Sequence, residues 1–484
     1  MNKSLKYLKM KKHYVLFVCT LTILYSCVPS KTIIRNENKK VPEQYNDKVI
    51  DTSLNVAVIK WTDFFKDSNL EALINTALTN NQELNIMLQH MNIAKNEIQA
   101  KKGEYLPTVN IYAGAEVEKV GEYTRNGAVE KNLNINEGEA FPEPLKNFTA
   151  GLSASWEIDV WKKLRNGKKA AVLEYLASVE GIQFMKTQLI SEIASTYYEL
   201  IALDNQLIII EQNLDIQKNA LRMVKLQKEA ARTTQLAVRR FEAEVLKNQS
   251  NKYEVQQKIT ENENLINFLV GRYPQNVIRN STNFITKVID SIDTGVPSQL
   301  LANRPDIRRA ELELSASKLN VKVAKANFYP TIGIKANIGL EAFNTKFLKN
   351  TPESLLYSLV GDVVSPLINR NAIKAEYKNA NSRQLQAVFE YEKTILTAYM
   401  EVANQLSNKQ NLQKSFNLKE KQVETLKEAI TLSIQLFKSA RAEYTEVLLT
   451  QREALDSKLE IIETKRDQLL TNVKLYQSLG GGWH

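Results

Sequence analysis

Cysteine is nearly absent from this 484-residue chain: it occurs twice, as Cys19 and Cys27. A disulfide framework for the body of the chain is thereby excluded. Histidine is almost as rare, and His90 and His484 stand too far apart in sequence to suggest a metal site once His13 is set aside. Proline (11) and glycine (16) are scarce for such a length, which favours long uninterrupted helices. No glycine-rich phosphate loop and no nucleophile elbow occurs. Paired carboxylates such as Glu242 and Glu244 fall within helical charge patterns and read as solvated faces. With no convergent polar constellation, the chain is read as a non-enzyme without cofactor or metal.

The beginning of the chain is informative. Lys3, Lys6, Lys9, Lys11 and Lys12 precede an apolar run from Tyr14 to Tyr25. That run is shorter than the ~20 residues a spanning helix needs, and it has the form of a secretory signal peptide over residues 1–26. Leu24-Tyr25-Ser26-Cys27 resembles a bacterial lipobox, with Tyr25 bulkier than usual. Cleavage there removes Cys19 and leaves Cys27 to carry a diacylglycerol, a palmitate-type anchor. The competing reading is an uncleaved signal anchor. Much of the formal charge of +10 lies in this leader, so the basic balance is mostly an export signal and nucleic acid is not an expected partner.

Beyond a polar tether at 27–60, the same plan occurs twice. "KKGEYLPTVNIYAGAEVE" (Lys101–Glu118) returns as "KANFYPTIGIKANIGLE" (Lys325–Glu341), so Pro107 matches Pro330 and Tyr105 matches Phe328. Each proline ends a helical pattern and precedes a strict alternation of period two. In the first copy, Asp67 or Ser68 is the expected cap of a helix that reaches Tyr105 with a break near Asn80-Asn81. Strands are expected near 107–118, 148–161, 330–342 and 354–366, with a long loop from Lys119 to Asn147. Each is about ten residues, enough to cross a bilayer at a tilt. From alternation alone, a soluble half-buried sheet is an equal reading. Four strands cannot close a barrel, and open edges are not tolerated in lipid, so in the membrane reading several copies must share one barrel.

Long helical hairpins are expected over 168–270 and 372–479. Ile193, Leu200, Leu207, Leu214 and Leu221 recur every seven residues. Val388, Ile395, Val402, Phe416, Val423, Ile430 and Phe437 keep the same spacing, broken at Lys409. That period implies supercoiled helix packing, and ~60 residues span ~90 Å, more than any bilayer. The turns are expected near Arg232-Thr233 and Ala440-Tyr444. The first repeat thus covers 61–275, a linker 276–295, and the second repeat 296–484.

Arg304-Pro305-Asp306-Ile307-Arg308, within "VPSQLLANRPDIRRAELELSASKLNVKVAKANFYPTIGI" (Val296–Ile334), resembles the hallmark segment of the outer-membrane factor family of TolC/OprM-like efflux ducts. "WEIDVWKKLRN" (Trp156–Asn166), "LVGRYP" and the terminal "LGGGW" (Leu479–Trp483) match in the same order, from about Trp61 to Trp483. The resemblance implies a mostly α fold with transmembrane β: a homotrimer with a twelve-stranded outer-membrane barrel, four strands per chain, continuous with a periplasmic α-barrel. It implies passive conduction, with a periplasmic adaptor and an inner-membrane pump of the resistance-nodulation-division class as partners, and a lipid anchor in the outer membrane. The alternative is a non-conducting periplasmic coiled-coil or adaptor lipoprotein.

The resemblance also implies a gate at the start of the last helix. Glu446 and Leu449 are its candidate residues, Leu449 standing where relatives often carry aspartate; Ala237 stands at such a position in the first repeat. Arg232 and Arg441, at the hairpin turns, are candidate adaptor contacts. The family usually places glycine at these turns; with Ala231 and Ala440 here, the expected outcome is a slight shift in turn geometry that avoids a positive φ.

Overall fold

The computed structural model describes residues 35–45, 56–287, 295–366, 368, 370–439 and 441–483. Cys27 and Ala440 lie outside them. The fold is mostly helical, with one four-stranded sheet and one small hairpin.

The first repeat opens with α1 (Trp61–Phe65), α2 (Ser68–Asn80) and α3 (Gln82–Tyr105). Asp67 caps α2: its Oδ1 accepts from the backbone N–H of Asn69 at 3.2 Å and of Leu70 at 3.3 Å. Lys287 Nζ donates to the other oxygen at 2.7 Å, and the Tyr197 hydroxyl donates to Oδ1 at 3.2 Å. Burial pushes the Asp67 carboxyl up, but Lys287, the Leu70 N–H and Tyr197 outweigh it and hold it below the usual carboxylate range.

β1 (Thr108–Glu118) follows Pro107. The stretch read as a long loop contains α4 (Arg125–Asn132) and a small hairpin of β2 (Asn134–Asn136) and β3 (Glu139–Ala140). Thr124 caps α4 by accepting from Gly127 N–H, local chemistry strong enough to order eight residues inside a polar segment. β4 (Leu145–Ile158) begins earlier than the expected 148 and stops before Trp161. There Asp159 turns the chain into α5 by accepting from the backbone N–H groups of Leu164 and Arg165.

α5 (Lys163–Glu229) and α6 (Gln235–Leu269) form the first hairpin. The second repeat supplies α7 (Leu300–Asn303), α8 (Pro305–Ala326), β5 (Thr331–Ala342), β6 (Leu355–Val364), α9 (Asn371–Lys438) and α10 (Tyr444–Ser478). At 1.5 Å per residue, α5 and α9 are each about 100 Å long. Their seven-residue positions face inward: Ile193, Leu200, Val388 and Val402 are fully buried.

The chain divides into two compact units. One, drawn from 93–175 and 312–388, holds the sheet and a cluster of Val321, Ala324, Phe328, Tyr377 and Ala380. Phe328 meets Tyr377 edge-on, so this aromatic at a strand start is packing. The other, from 37–92, 176–311 and 389–484, is built on helix pairs. Its clusters join α5 to α6 through Leu203, Ile210, Leu214, Val245 and Val255, and through Val224, Ala237, Val238 and Phe241, against which Tyr444 and Leu448 of α10 pack.

The described part of the tether holds one 3₁₀ turn (Val56–Val58), is otherwise irregular, and is not free. Tyr45 is buried and stacked on Tyr399 with ring centroids 5.6 Å apart, and Lys39 donates to Glu311 at 2.5 Å.

The turn after α5 departs from expectation. Ala231 sits at φ +54°, in the left-handed region, with no shift in geometry to avoid it. The Arg232 N–H donates to the Gln227 carbonyl at 2.8 Å and the Ala231 N–H to Lys228 at 3.0 Å, the two bonds of a Schellman cap. Two orphan helix carbonyls are satisfied, and that gain holds alanine where glycine is the easier residue. At the second turn Arg441 N–H makes the matching bond to Leu436 at 2.9 Å.

Candidate functional site

The sheet runs β1-β4-β5-β6, all antiparallel, so β4 and β5 are its centre and β1 and β6 are edges with one neighbour each. Its register sorts the side chains by chemistry. One row is Ile111, Leu152, Ile338 and Tyr357, and the next on the same face is Val109, Ala154, Ala336 and Leu359. The intervening rows lie on the opposite face: Asn110, Ser153, Asn337 and Ser358, then Thr108, Ser155, Lys335 and Val360, so that face is polar except along β6, which also sets Leu356 there. The apolar face is bare: Ile111 is 84% exposed, Tyr357 76% and Leu359 77%. An uncovered apolar surface running across all four strands is not stable in water and marks a contact with lipid or protein. Among the described residues no helix is long and apolar enough to cross a membrane.

The polar face is knitted by side chains. Asn337 donates to Ser358 Oγ at 3.1 Å, Lys335 to Asp362 at 3.0 Å and Asn147 to Glu341 at 2.6 Å. The two central strands pinch together where Gly151 faces Gly339. A Cβ on Gly151 would lie 2.4 Å from the Ile338 carbonyl oxygen, and the Tyr112 hydroxyl would lie 2.9 Å from a Cβ on either glycine. The glycines leave room for the Tyr112 ring to reach across the strands.

Where strands give way to helices, tryptophans fasten the junction. Trp156 Nε1 donates to the Tyr105 carbonyl at 3.1 Å. Trp161 Nε1 donates to the Pro330 carbonyl at 2.7 Å and stacks on Tyr329 at 4.5 Å. Pro330 is thus half-buried in a contact, whereas its counterpart Pro107 is exposed.

A second set of contacts lies at the far ends of α6 and α10. Asn81, 4% exposed, donates to the last-turn carbonyl of Leu269 at 2.9 Å and accepts from Leu84 N–H at 2.9 Å. Arg304, 5% exposed, stands at the matching place in the second repeat. It donates to the carbonyl of Ser478 at 2.8 Å, to both oxygens of Asp306 at 3.0 and 2.7 Å, and to Glu401 at 2.7 Å. Burial lowers the pKa of the Arg304 guanidinium, but Asp306 and Glu401 outweigh it and the net direction is up. Arg308 pairs with Glu180 and lies over the Trp483 ring at 5.3 Å. The Arg-Pro-Asp-Ile-Arg segment is therefore a structural clamp on the end of α10.

The candidate gate and contact residues are at the hairpin ends. Glu446 and Leu449 are exposed, three residues apart on the first turns of α10. Arg232 and Arg441 are exposed immediately after the turns. Ala237 is fully buried among Val224, Val238 and Phe241, so a carboxylate there would be desolvated. Sequence reasoning missed the Asn81 clamp and the Tyr112 bridge. A glycine at a polar position of each central strand was the available signal for the bridge.

A family model described as "Outer membrane efflux protein" matches residues 73–272 and 296–481. The chain is similar to the solvent efflux pump outer membrane protein SrpC of Pseudomonas putida, 28% identical over 433 residues and 89% of each chain. It is similar to the probable outer membrane lipoprotein SilC of Salmonella typhimurium, 24% identical over 480 residues, 98% of this chain and 100% of that one. The crystal structure of CusC has the same fold, with a TM-score of 0.80, 23% identity, and coverage of 94% of this chain and 99% of that one.

Proposed function

Given that the chain belongs to the outer membrane efflux protein family, we propose that it is the exit duct of a tripartite efflux system and conducts its cargo passively. Three copies join edge to edge, β6 of one against β1 of the next, to make a twelve-stranded barrel. The bare apolar face meets lipid and the polar face lines the bore. The helices of the three copies form the periplasmic tunnel, which engages a periplasmic adaptor and an inner-membrane pump of the resistance-nodulation-division class. Cys27 carries the lipid anchor. Glu446 and Leu449 contribute to the periplasmic gate, Arg232 and Arg441 to adaptor docking, and Pro107 and Pro330 set where strands begin.

The observation that carries this reading is a sheet with two unpaired edges and one face that is apolar except for Lys146 at the loop end of β4. Unpaired backbone groups in lipid cost several kcal/mol each, so such a sheet must close, and four strands are too few to close alone. A soluble sheet would cover its apolar face, and this one is bare. The experiment is purification in mild detergent followed by gel electrophoresis with and without heating, and reconstitution into planar bilayers. The expected result is a heat-dissociable trimer with stepwise conductance. A monomer that leaves bilayers sealed would overturn the proposal.

A further inference from the structure

The two hairpin turns share one helix-closing bond, from Arg232 N–H to Gln227 and from Arg441 N–H to Leu436, and differ in charge. Around the first, α5 contributes Lys218, Arg222, Lys225 and Lys228, and the turn and α6 add Arg232, Arg239 and Arg240. Glu229 is the lone acid between 218 and 240. The equivalent stretch around the second turn, 427–449, balances Lys427, Lys438 and Arg441 against Glu428, Glu443 and Glu446. All seven cations of the first tip are exposed.

Internal pairing accounts for little of this charge. Lys225 and Arg239 share Glu242, at 3.1 and 2.9 Å. Arg222 donates only to the neutral Asn219. Lys218, Lys228, Arg232 and Arg240 have no acidic partner among the described residues. Helix dipoles explain two of the seven: Lys225 and Lys228 stand near the C-terminus of α5, where cations are favoured. Arg239 and Arg240 stand in the second turn of α6, beyond the reach of its dipole, and the first turn of α6 has no acid. α10 shows the ordinary arrangement, with Glu446 in its first turn. Mutual repulsion between exposed cations weakens the tip in isolation and is relieved by an anionic surface.

We propose that the tip of the first hairpin is a cationic dock for an acidic helical end of the periplasmic partner, and that the second tip, Arg441 included, meets the partner without this preference for acid. This rests on the exit-duct reading and adds the chemistry of the partner: glutamate- or aspartate-rich at the turns that meet α5 and α6.

The test uses the full-length protein in detergent micelles and fluorescein-labelled synthetic helical hairpin peptides, one with a glutamate-rich turn and one with glutamine in place of glutamate. Fluorescence anisotropy is expected to show the glutamate peptide binding at least about tenfold more tightly, with the preference collapsing between about 50 and 300 mM salt. The triple variant Arg222→Glu/Lys228→Glu/Arg240→Glu is expected to abolish the preference. So is the milder Arg222→Gln/Lys228→Gln/Arg240→Gln set, which guards against misfolding. Lys427→Glu, at the place matching Lys218, is expected to leave it intact. Equal binding of the two peptides, or equal loss in Lys427→Glu, would overturn the proposal. So would a change in ion selectivity of the conducting channel with peptide preference retained, since that assigns the charges to the bore. Heat-dissociable trimer and bilayer conductance, read on the same samples, separate failure of the dock from failure of the duct.

Discussion

The two repeats share a backbone and differ in what bolts it together. Gly271 and Gly480 occupy the same place after α6 and α10, both at positive φ, and each packs on the chain just before the next helix-start contact, at Asn80 and Asn303. At that contact the first repeat uses a neutral amide, Asn81, and the second uses Arg304 with two carboxylates. Both deliver an N–H to a carbonyl that its helix leaves unmet. What duplication has preserved is the geometry of the carbonyl; the donor has been free to change. The same holds at the turns, where matching Schellman bonds carry a cationic tip in one repeat and a balanced one in the other. It holds again one turn further on, where Ala237 is buried and its counterpart Glu446 is exposed.

The contrast can be broken at its strongest point with Arg304→Ala. Removing the guanidinium leaves the buried Ser478 carbonyl and the partly buried Asp306 carboxylate without their shared donor, a loss of about 2–3 kcal/mol. Thermal unfolding followed by far-ultraviolet circular dichroism in micelles checks it. Gly480→Ala comes next. Its Cβ would lie 2.6 Å from the Asn303 carbonyl oxygen, and a left-handed alanine adds about 1–2 kcal/mol; Gly271→Ala should match it, the sharpest check that the backbones are equivalent. Asn81→Ala should cost about 1–2 kcal/mol, less than Arg304→Ala, because only neutral groups go unpaired. Equal melting losses for these two would erase the distinction between the clamps.

Smaller still is Asp67→Ala, which removes the cap of α2 and should cost about 1 kcal/mol near neutral pH. The folded carboxyl is held below its ordinary value, so its contribution is present above the unfolded pKa of about 3.9 and is lost as pH falls further through the depressed folded value. The difference between wild type and variant should therefore vanish in strong acid. Ala231→Gly has the opposite sign: relief of the left-handed alanine at φ +54° should raise stability by up to about 1 kcal/mol.

Much of this was legible because it is periodic. Alternation from Val109 to Val117 and from Ile332 to Ala342 marks strands with one apolar face, and recurrence from Ile193 to Leu221 marks a buried helix stripe; both are local signals that survive without a structure. The β4 start at Leu145 was not legible, because Leu145-Lys146-Asn147 sits in a polar stretch and is held by pairing with Glu118, Val117 and Glu116. α4 was missed although Thr124 offered a cap. The clamps were out of reach for a different reason: Asn81 and Leu269 are 188 residues apart in the chain, and no spacing rule links an amide to a carbonyl at that distance. The Arg-Pro-Asp-Ile-Arg segment could be recognised from sequence, but only its contacts say what it holds.

The order of the strands carries one more consequence. At the middle of the sheet, the second strand of the first half pairs with the first strand of the second half. The free margins offer the same two kinds of strand, the first strand of the first half on one side and the second strand of the second half on the other. In the three-chain ring proposed above, every seam that joins one half to the next, within a chain or between chains, therefore brings together the same two kinds of strand.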